Sequence, residues 1–339
     1  METSSSQNAR DRQYWSKRTV LVTGAGGFAA SWICKALVEA GATVVGIVRD
    51  SPGEQQLTGH GIRNKMAIVH GSIVDYASVE RALNEYEVDT CLHLAAQAIV
   101  GAANRSPLST FESNIKGTWN VLEACRNVAT VTSVVVASSD KAYGDQPVLP
   151  YTEDTTLNGT YPYDASKVCT DVLTKSYAVT YGLPATITRC ANIYGGGDTN
   201  WSRIVPGTMR SLYIGEDPII RSDGTPERDY LYIEDLVDAY LLTAQHAGED
   251  GIRGTAFNFG SGTPTSALTL VTQITAASGK NLQPIIKGQA KGEIDRQYLD
   301  STRAHQVLGW EPHHSLAQGL AKSWAWYEAY LNENNPLGK

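Results

Sequence analysis

Tyr163 and Lys167 have the side chains and the spacing that oxidation of a hydroxyl group requires. Residues four apart in a helix lie on one face, one turn from each other. An ammonium near a phenol favours the phenolate and lowers the pKa of the tyrosine. The phenolate can then take a proton from an alcohol while hydride leaves the same carbon. We therefore predict a catalytic pair, with a surface tyrosine beside a helical lysine as the alternative.

Ser139, Asp140 and Lys141 form a second candidate group, because they directly follow the apolar run at 133–137. In open parallel sheets, ligands bind at the carboxyl ends of the strands. A serine hydroxyl there can hydrogen-bond a reacting oxygen, and Asp140 beside Lys141 is a potential acid–base couple. The alternative is a salt bridge at a strand end, which contributes little to stability if it is exposed.

The elements that must position these residues alternate between strand and helix. Short apolar or β-branched runs predict strands, and longer stretches between them predict helices. Repeated β–α units imply an α/β fold with a doubly wound parallel sheet and helices on both faces. The predicted strands lie at 19–23, 44–48, 65–70, 90–94, 133–137 and 185–189, and the predicted helices at 30–40, 77–86 and 111–126.

A glycine-rich turn lies between the first strand and the first helix. Gly24, Gly27 and Ala30 give the pattern G-x-x-G-x-x-A. Glycines let the backbone turn tightly and approach a pyrophosphate, which then sits at the positive N-terminus of the helix. This context predicts a Rossmann-type domain that binds a nicotinamide dinucleotide.

The residues after the second strand leave the choice between NAD and NADP open. An acidic residue there accepts a hydrogen bond from the ribose of NAD, whereas an arginine favours the additional phosphate of NADP. The sequence has both, Arg49 followed by Asp50. Because the arginine comes first and Val48 precedes it, NADP is slightly favoured.

Beyond about residue 192 the pattern becomes irregular, with loops at 195–197 and 222–228 and amphipathic helices at 233–246 and 317–331. We predict a polar N-terminal extension at 1–17, an NAD(P)-binding Rossmann domain at 18–190 and a smaller, mainly substrate-binding α/β portion at 191–339. The last two are expected to interleave in part.

Composition excludes several classes of partner. The net charge of -7 disfavours nucleic acid and anionic lipid. No apolar run approaches the ~18 residues that a membrane span needs, and residues 1–17 do not resemble a secretory signal. Five scattered cysteines argue against a disulfide framework or a metal site such as zinc, and they suit the cytosol, so we expect a cytoplasmic protein.

Several motifs occur together along nearly the whole chain: TGxxGF at 23–28, LHLAAQ at 92–97, SNIKGT at 113–118, YDASK at 163–167, RCANIYGGGD at 189–198 and LGWEPHHSLAQGL at 308–320. Together they resemble the extended short-chain dehydrogenase/reductase family, most of whose members act on nucleotide-diphosphate sugars. The resemblance implies a set of cofactor-binding residues at the turn, at strand ends and around the catalytic pair: Gly24, Gly27, Phe28, Ala29, Arg49, Asp50, Ser72, Ile73, Leu94, Ala95, Ala96, Asn114, Tyr163 and Lys167.

Within this family the chain is most similar to the CDP-glucose 4,6-dehydratase group, through SSDKAYG at 138–144, GTYPYDASK at 159–167 and NIYGGGDTNWSRIVP at 192–206. The resemblance implies that Tyr163 and the cofactor oxidise the sugar at C4, after which water is lost across C5 and C6. Asp140 would then be the acid and Lys141 the base. Substrate contacts are carried over onto Gln97, Ser139, Asn192, Arg203, Arg228 and Arg296, where ordinary surface positions are the alternative for the arginines.

Other activities remain open. The alternatives are a nucleotide-sugar 4-epimerase, a 4-ketoreductase and, more remotely, a non-catalytic NAD(P)-binding protein. Three departures concern the specific group. Ala30 replaces the usual third glycine, and Arg49–Asp50 is not the pattern expected of an NAD-using CDP-glucose enzyme. The stretch at 219–241 resembles the general epimerase/dehydratase pattern more than this group. The family also implies a homodimer through a four-helix contact, formed by the helix at 111–126 and the helix that carries Tyr163.

Overall fold

The largest element of the protein is a seven-stranded sheet with the order β11-β6-β5-β4-β1-β2-β3. A computed structural model of the chain describes residues 12–50, 54–289 and 294–334. The strands of this sheet are β1 (Thr19–Thr23), β2 (Thr43–Val48), β3 (Ala67–His70), β4 (Thr90–His93), β5 (Ser133–Ala137), β6 (Ala185–Cys190) and β11 (Ala256–Phe259). The predicted Rossmann-type α/β fold is confirmed.

The strand order reverses at β1, because β2 pairs with it on one side and β4 on the other, both in parallel. In sheets of this kind, the crevice beyond the carboxyl ends of strands at such a switch point binds ligands. Thr23 ends β1 and His93 ends β4, in register with each other. The fold therefore directs the glycine turn and the segment after His93 to one edge of the sheet.

Helices cover this sheet. They are α1 (Phe28–Glu39), α2 (Glu54–Gly59), α3 (Tyr76–Glu85), α4 (Val100–Arg105), α5 (Pro107–Phe111), α6 (Gly117–Asn127), α7 (Pro162–Tyr181) and α9 (Ile233–His246). The single helix predicted at 111–126 is wrong in one respect, since a π-helical turn, Glu112–Lys116, separates α5 from α6. Such turns widen a helix by one residue and are frequent at functional sites.

The strand predicted at 65–70 is shorter than expected. Residues Arg63–Lys65 form a 3-10 turn, and β3 begins at Ala67. The loop predicted at 222–228 likewise ends in a two-residue strand, Glu227–Arg228. In the second of these places a short ladder to two distant strands overrides the local composition.

The described residues divide into two compact units. Unit 1 contains those up to Gly144, together with Thr155–Arg189 and Val237–Phe257. Its core joins apolar strand residues such as Leu21, Val45 and Val134 to helix residues such as Leu83 and Leu122. Alternation of buried strands with helices on both faces explains why these strands are apolar throughout.

Unit 2 contains Asp145–Asp154, Cys190–Leu236 and the described residues from Asn258 onward. It has small ladders that join β7 (Asn192–Tyr194) to β10 (Tyr230–Tyr232), β8 (Ile219–Ile220) to β13 (Ile285–Ile286), and β9 (Glu227–Arg228) to both β12 (Thr265–Ser266) and β14 (Arg296–Gln297). Its helices are α8 (Ile204–Ile214), α10 (Ala267–Ser278), α11 (Thr302–Leu308) and α12 (Leu316–Asn334).

Part of the polar extension predicted at 1–17 packs against the folded protein, since Trp15 is buried. Residues 1–11 lie outside the described residues, but Trp15 belongs to a short helical stretch and is fully buried. All five cysteines are free thiols. Among the helices of the described ranges, none combines the length and apolar character needed to cross a membrane.

Candidate active site

The glycine turn leaves the N-terminus of α1 open for an anion. Gly24 has a φ of +69°, and a Cβ added to it would lie 2.8 Å from the Cα of Ala95. The backbone N–H of Gly27 donates to the carbonyl of Gly24 over 2.8 Å, which closes the turn. Gly27 is the N-cap of α1 and offers no side-chain cap, so the first N–H groups of the helix can donate to a ligand. This cradle fits the pyrophosphate of a dinucleotide.

The residues after β2 face solvent. Val48 ends the strand and is buried, whereas Arg49 and Asp50 are 70% and 62% exposed and pair with each other, with Nε and Oδ2 2.7 Å apart. The other predicted cofactor contacts follow the neighbouring strands: Ser72 and Ile73 follow β3, and Leu94, Ala95 and Ala96 follow β4. The sheet thus brings these residues to the same edge as the glycine turn.

Tyr163 and Lys167 lie in the first two turns of α7, and both are at least nine-tenths buried. The Lys167 Nζ donates to the carbonyl of Ala137 at the end of β5, over 2.7 Å. It also lies 5.8 Å from the centroid of the Tyr163 ring. The ammonium is therefore held beside the phenol by the strand that leads into the Ser139–Lys141 segment.

Ser139, Asp140 and Lys141 occupy a single 3-10 turn, Asp140–Tyr143, with Ser139 as its N-cap. The Ser139 Oγ donates to Asp140 Oδ1 over 2.9 Å and accepts the Lys141 N–H over 3.2 Å. Asp140 is buried and Lys141 half-buried. A hydroxyl, a carboxyl and an amine are thus presented together on one turn at the end of β5.

Asn114 links this region to the segment after β4. Its side chain accepts the Gln97 N–H over 2.7 Å and donates to Ser166 Oγ over 2.9 Å. Ser166 in turn donates to the carbonyl of Tyr163 over 2.6 Å. Asn114 lies in the π-helical turn and is almost fully buried.

His93 was not predicted from the sequence as a site residue. Thr118 donates to the carbonyl of Asn114 over 2.6 Å, so its oxygen accepts from His93 Nε2, 3.0 Å away. His93 Nδ1 then accepts from Thr23, over 2.8 Å. Burial, together with the nearby Lys167 ammonium, lowers the pKa of His93 to about 3. The hydrogen-bond order therefore describes a neutral imidazole protonated on Nε2.

Asp164 is a second residue that sequence reasoning missed. It lies next to Tyr163 in the first turn of α7 and is buried. Burial raises the pKa of its carboxyl to about 6, with Asp140 raising it and Lys141 lowering it. Three titratable side chains, those of Asp140, Lys141 and Asp164, are thus close enough to influence one another.

A buried ion pair supports the same turn. Arg189 donates to Asp171 from Nε over 2.9 Å and from a terminal nitrogen over 2.7 Å, and to the Tyr143 hydroxyl over 2.8 Å. Burial raises the pKa of the Asp171 carboxyl, and Arg189 lowers it. The spacing of four residues from Lys167 to Asp171 was the one signal that could have pointed to this residue.

The predicted substrate contacts in unit 2 are engaged with their own neighbours. Arg203 donates to Asp198 over 2.9 Å, and Asn192 donates to the carbonyl of Asp229 over 3.2 Å. Arg228 and Arg296 lie on the adjacent strands β9 and β14, but the register pairs Arg296 with Glu227. Successive residues of a strand point to opposite faces, so these two arginines project from opposite faces of that small sheet.

A sequence profile described as GDP-mannose 4,6 dehydratase matches residues 21–323, which is most of the chain. The chain belongs to the extended short-chain dehydrogenase/reductase family. It is therefore an enzyme of the NAD(P)-dependent nucleotide-sugar class that comprises dehydratases and epimerases.

Two curated relatives represent both activities. A UDP-glucose 4-epimerase from Mycolicibacterium smegmatis is 34% identical over 307 residues, covering 89% of this chain and 96% of the relative. A CDP-glucose 4,6-dehydratase from Salmonella typhimurium is 27% identical over 342 residues, covering 96% of this chain and 95% of the relative. The relatives support the class of enzyme, but they do not distinguish between epimerisation and dehydration.

Similar solved structures likewise include both epimerases and dehydratases. A UDP-glucose 4-epimerase from Thermotoga maritima with UDP-glucose has a TM-score of 0.85 and 31% identity, covering 92% of this chain and 99% of its own. A dTDP-glucose 4,6-dehydratase from Streptomyces venezuelae with NAD bound has a TM-score of 0.83 and 27% identity, covering 93% and 98%.

Proposed function

We propose that the protein is a nucleotide-diphosphate-sugar 4,6-dehydratase acting on CDP-glucose or a closely similar substrate. The observation that carries this proposal is the turn after β5, which presents Ser139, Asp140 and Lys141 together. Epimerisation at C4 needs the hydroxyl-oxidising pair alone, whereas loss of water needs an additional acid and base. The similarity to a CDP-glucose 4,6-dehydratase supports the choice of substrate.

The first step is oxidation at C4. Tyr163 takes the proton of the C4 hydroxyl, Lys167 stabilises the phenolate, and Ser139 hydrogen-bonds the same oxygen. A bound nicotinamide supplies an acceptor for the C4 hydride and a donor for its return to C6. The residues that would hold it are those of the glycine turn and the strand ends around it.

The second step is elimination, which the C4 ketone makes possible by acidifying the proton on C5. Lys141 takes that proton, and Asp140 protonates the C6 hydroxyl, which leaves as water. The C5–H and C6–O bonds break and a C5–C6 double bond forms. In the last step hydride returns to C6 and Lys141 gives its proton back to C5, while C4 remains a ketone. The proton that Tyr163 took replaces the one that Asp140 gave up, so the site returns to its starting state.

The test is turnover of a panel of nucleotide-diphosphate hexoses that includes CDP-glucose. A 4,6-dehydratase yields a 4-keto-6-deoxy sugar, detected by its alkaline absorbance, with no net consumption of cofactor. Tyr163→Phe is expected to lose turnover by about 100-fold or more while retaining bound cofactor. The matched variants Asp140→Asn and Lys141→Met should lose the dehydrated product and still reduce the cofactor. A wild-type product of unchanged mass would refute the proposal.

A 4-epimerase is the second candidate, because a relative with 34% identity carries that name. It predicts an isomer of the substrate and little effect of Lys141→Met. A 4-ketoreductase would instead consume reduced cofactor stoichiometrically. Binding of NAD(P) without turnover of any sugar nucleotide would favour a non-catalytic protein.

We further propose that the cofactor is NADP. Val48 at the end of β2 is buried and apolar, so it cannot bind a ribose hydroxyl, and the exposed Arg49 guanidinium follows it. The solved dehydratase that contains NAD makes NAD the alternative, with Asp50 as its contact. Arg49→Ala should weaken NADP binding by about 10-fold or more, as expected for a charge-assisted contact, whereas Asp50→Ala should not. Both variants are titrated calorimetrically with NADP and with NAD. NAD would be established as the cofactor if Asp50→Ala weakened NAD binding and Arg49→Ala left cofactor binding unchanged.

A homodimer is also proposed. Helices α5, α6 and α7 pack together in unit 1 and expose large apolar side chains, namely Leu108, Trp119, Val172 and Val179. Such patches on a folded protein mark association surfaces.

A further inference from the structure

The segment that carries Asp140 and Lys141 is held at both ends by one buried ion pair, Asp171 with Arg189. At its beginning, the Ser138 hydroxyl donates to Asp171 Oδ2. At its end, Tyr143 accepts from Arg189, which donates twice to Asp171 Oδ1. Asp171 and Arg189 are both more than nine-tenths buried.

Asp171 continues the face of α7 that carries the redox pair. Tyr163, Lys167 and Asp171 follow one another at intervals of four residues and are all buried. The same helix therefore supplies the groups for hydride transfer and the anchor for the acid–base turn. Any displacement of the turn from Asp171 is a displacement from Tyr163.

The exit of the turn is constrained as well. Gly144 has a φ of +68°, and a Cβ added to it would overlap the carbonyl oxygen of Asn158. The N–H of Asn158 donates to the carbonyl of Ala142 over 3.0 Å. A single 3-10 turn has few hydrogen bonds of its own, so these outside contacts determine where its side chains lie.

The redox pair depends less on this network. Lys167 is held by the carbonyl of Ala137, and Tyr163 by its place in a helix of 20 residues. Asp140 and Lys141, in contrast, lie between the two anchoring points. Ser139 lies there too, but its part in hydride transfer is a single hydrogen bond to the reacting oxygen, whereas elimination takes both its acid and its base from this turn. Loosening one anchor should therefore move the acid and base more than the tyrosine and lysine.

We propose that Ser138, Tyr143, Asp171 and Arg189 form a positioning network for the acid–base turn, required for water elimination much more than for hydride transfer. This inference rests on the proposed dehydratase function. The four side chains act through Asp140 and Lys141 and are therefore positioning residues.

The test compares Tyr143→Phe with Tyr240→Phe in the full-length enzyme with its cofactor. Each change removes one buried phenolic hydroxyl that accepts a hydrogen bond in unit 1. The Tyr240 hydroxyl accepts from Thr188 on β6, over 2.9 Å. Two rates are measured in a single turnover with CDP-glucose: appearance of reduced cofactor, and exchange of the C5 hydrogen with solvent deuterium. Thermal unfolding confirms that each variant is folded.

In Tyr143→Phe, C5 exchange should fall by about 10- to 100-fold, the loss expected of small misplacements of catalytic groups. Reduced cofactor should then accumulate transiently at a near wild-type rate. Tyr240→Phe should change neither rate. Ser138→Ala, which loosens the other end of the turn, should reproduce the effect and serves if Tyr143→Phe does not fold.

Equal losses in both rates, an unchanged C5 exchange rate, or the same effect in Tyr240→Phe would overturn the positioning role. Failure of the proposed function is recognised separately, because the wild-type enzyme would then form no 4-keto-6-deoxy product from any sugar nucleotide. A wild type that dehydrates, with variants that show no split between the two rates, refutes the network alone.

Discussion

At the scale of single residues, Asp164 stands out because burial raises the pKa of its carboxyl well above the ordinary aspartate value. It is buried beside Tyr163, and burial raises its pKa to about 6. Asp140 opposes its ionisation and Lys141 favours it, so the charge of Asp164 depends on the state of the proposed acid and base. Its protonation is therefore coupled both to stability and to the electrostatics of the turn.

Asp164→Asn should flatten the dependence of stability on pH. The folded-state pKa of Asp164 lies above the ordinary aspartate value, so the folded state binds this proton more tightly. Its stabilising contribution is present below the unfolded pKa and is lost as pH rises through about 6. At neutral pH, Asp164→Asn should raise the free energy of unfolding by on the order of 1–3 kcal/mol, at 1.36 kcal/mol per pKa unit.

Urea unfolding at a series of pH values measures this effect. Asp250→Asn is the control, since the Asp250 side chain is fully exposed. If Asp164→Asn kept the wild-type slope between pH ~4 and ~6, burial of the carboxyl would not be the source of the shift.

At the scale of elements, the glycine turn depends on close approach as well as on backbone conformation. Gly24 and Gly279 have nearly the same positive φ, +69° and +66°. A Cβ on Gly24 meets the backbone of Ala95, whereas no described residue beyond its chain neighbours lies within 4 Å of one on Gly279. An alanine would meet backbone strain at both positions but steric crowding at Gly24 alone.

Gly24→Ala should cost more stability than Gly279→Ala and should also impair cofactor binding. Left-handed backbone conformation costs alanine roughly 1–2 kcal/mol at either site, and overpacking adds about 1–3 kcal/mol at Gly24 alone. Denaturant unfolding and titration with the cofactor measure the two effects. Equal destabilisation of both variants, with unchanged cofactor affinity for Gly24→Ala, would contradict this account.

At the scale of the whole molecule, the exposed apolar side chains of unit 1 predict assembly. Val179→Asp should convert the proposed dimer to a monomer, because a buried unpaired charge at an interface is strongly unfavourable. Val307→Asp, at an exposed valine of α11 in unit 2, is the matched control. Light scattering after size-exclusion chromatography measures the mass. A wild-type monomer, or a Val179→Asp dimer, would contradict the prediction.

The features that depend on local periodicity follow from the amino-acid pattern alone. Spacings of four residues in a helix and three in a glycine turn have fixed geometric meanings, so the amino-acid pattern alone was enough to place Gly24, Gly27, Tyr163 and Lys167. The repeated apolar runs likewise predicted a parallel sheet, since strands covered on both faces are apolar throughout.

Which polar groups are buried, and what they contact, depends instead on how distant segments pack together. Asp171 meets Arg189 because β6 lies beside β5, and Asn114 meets Ser166 because α7 packs against the π-helical turn. Burial also distinguishes Asp164, which adjoins a predicted site residue, from the exposed Asp50, which is one. Desolvation and pairing depend on the strand order and packing of distant segments, which no local pattern encodes.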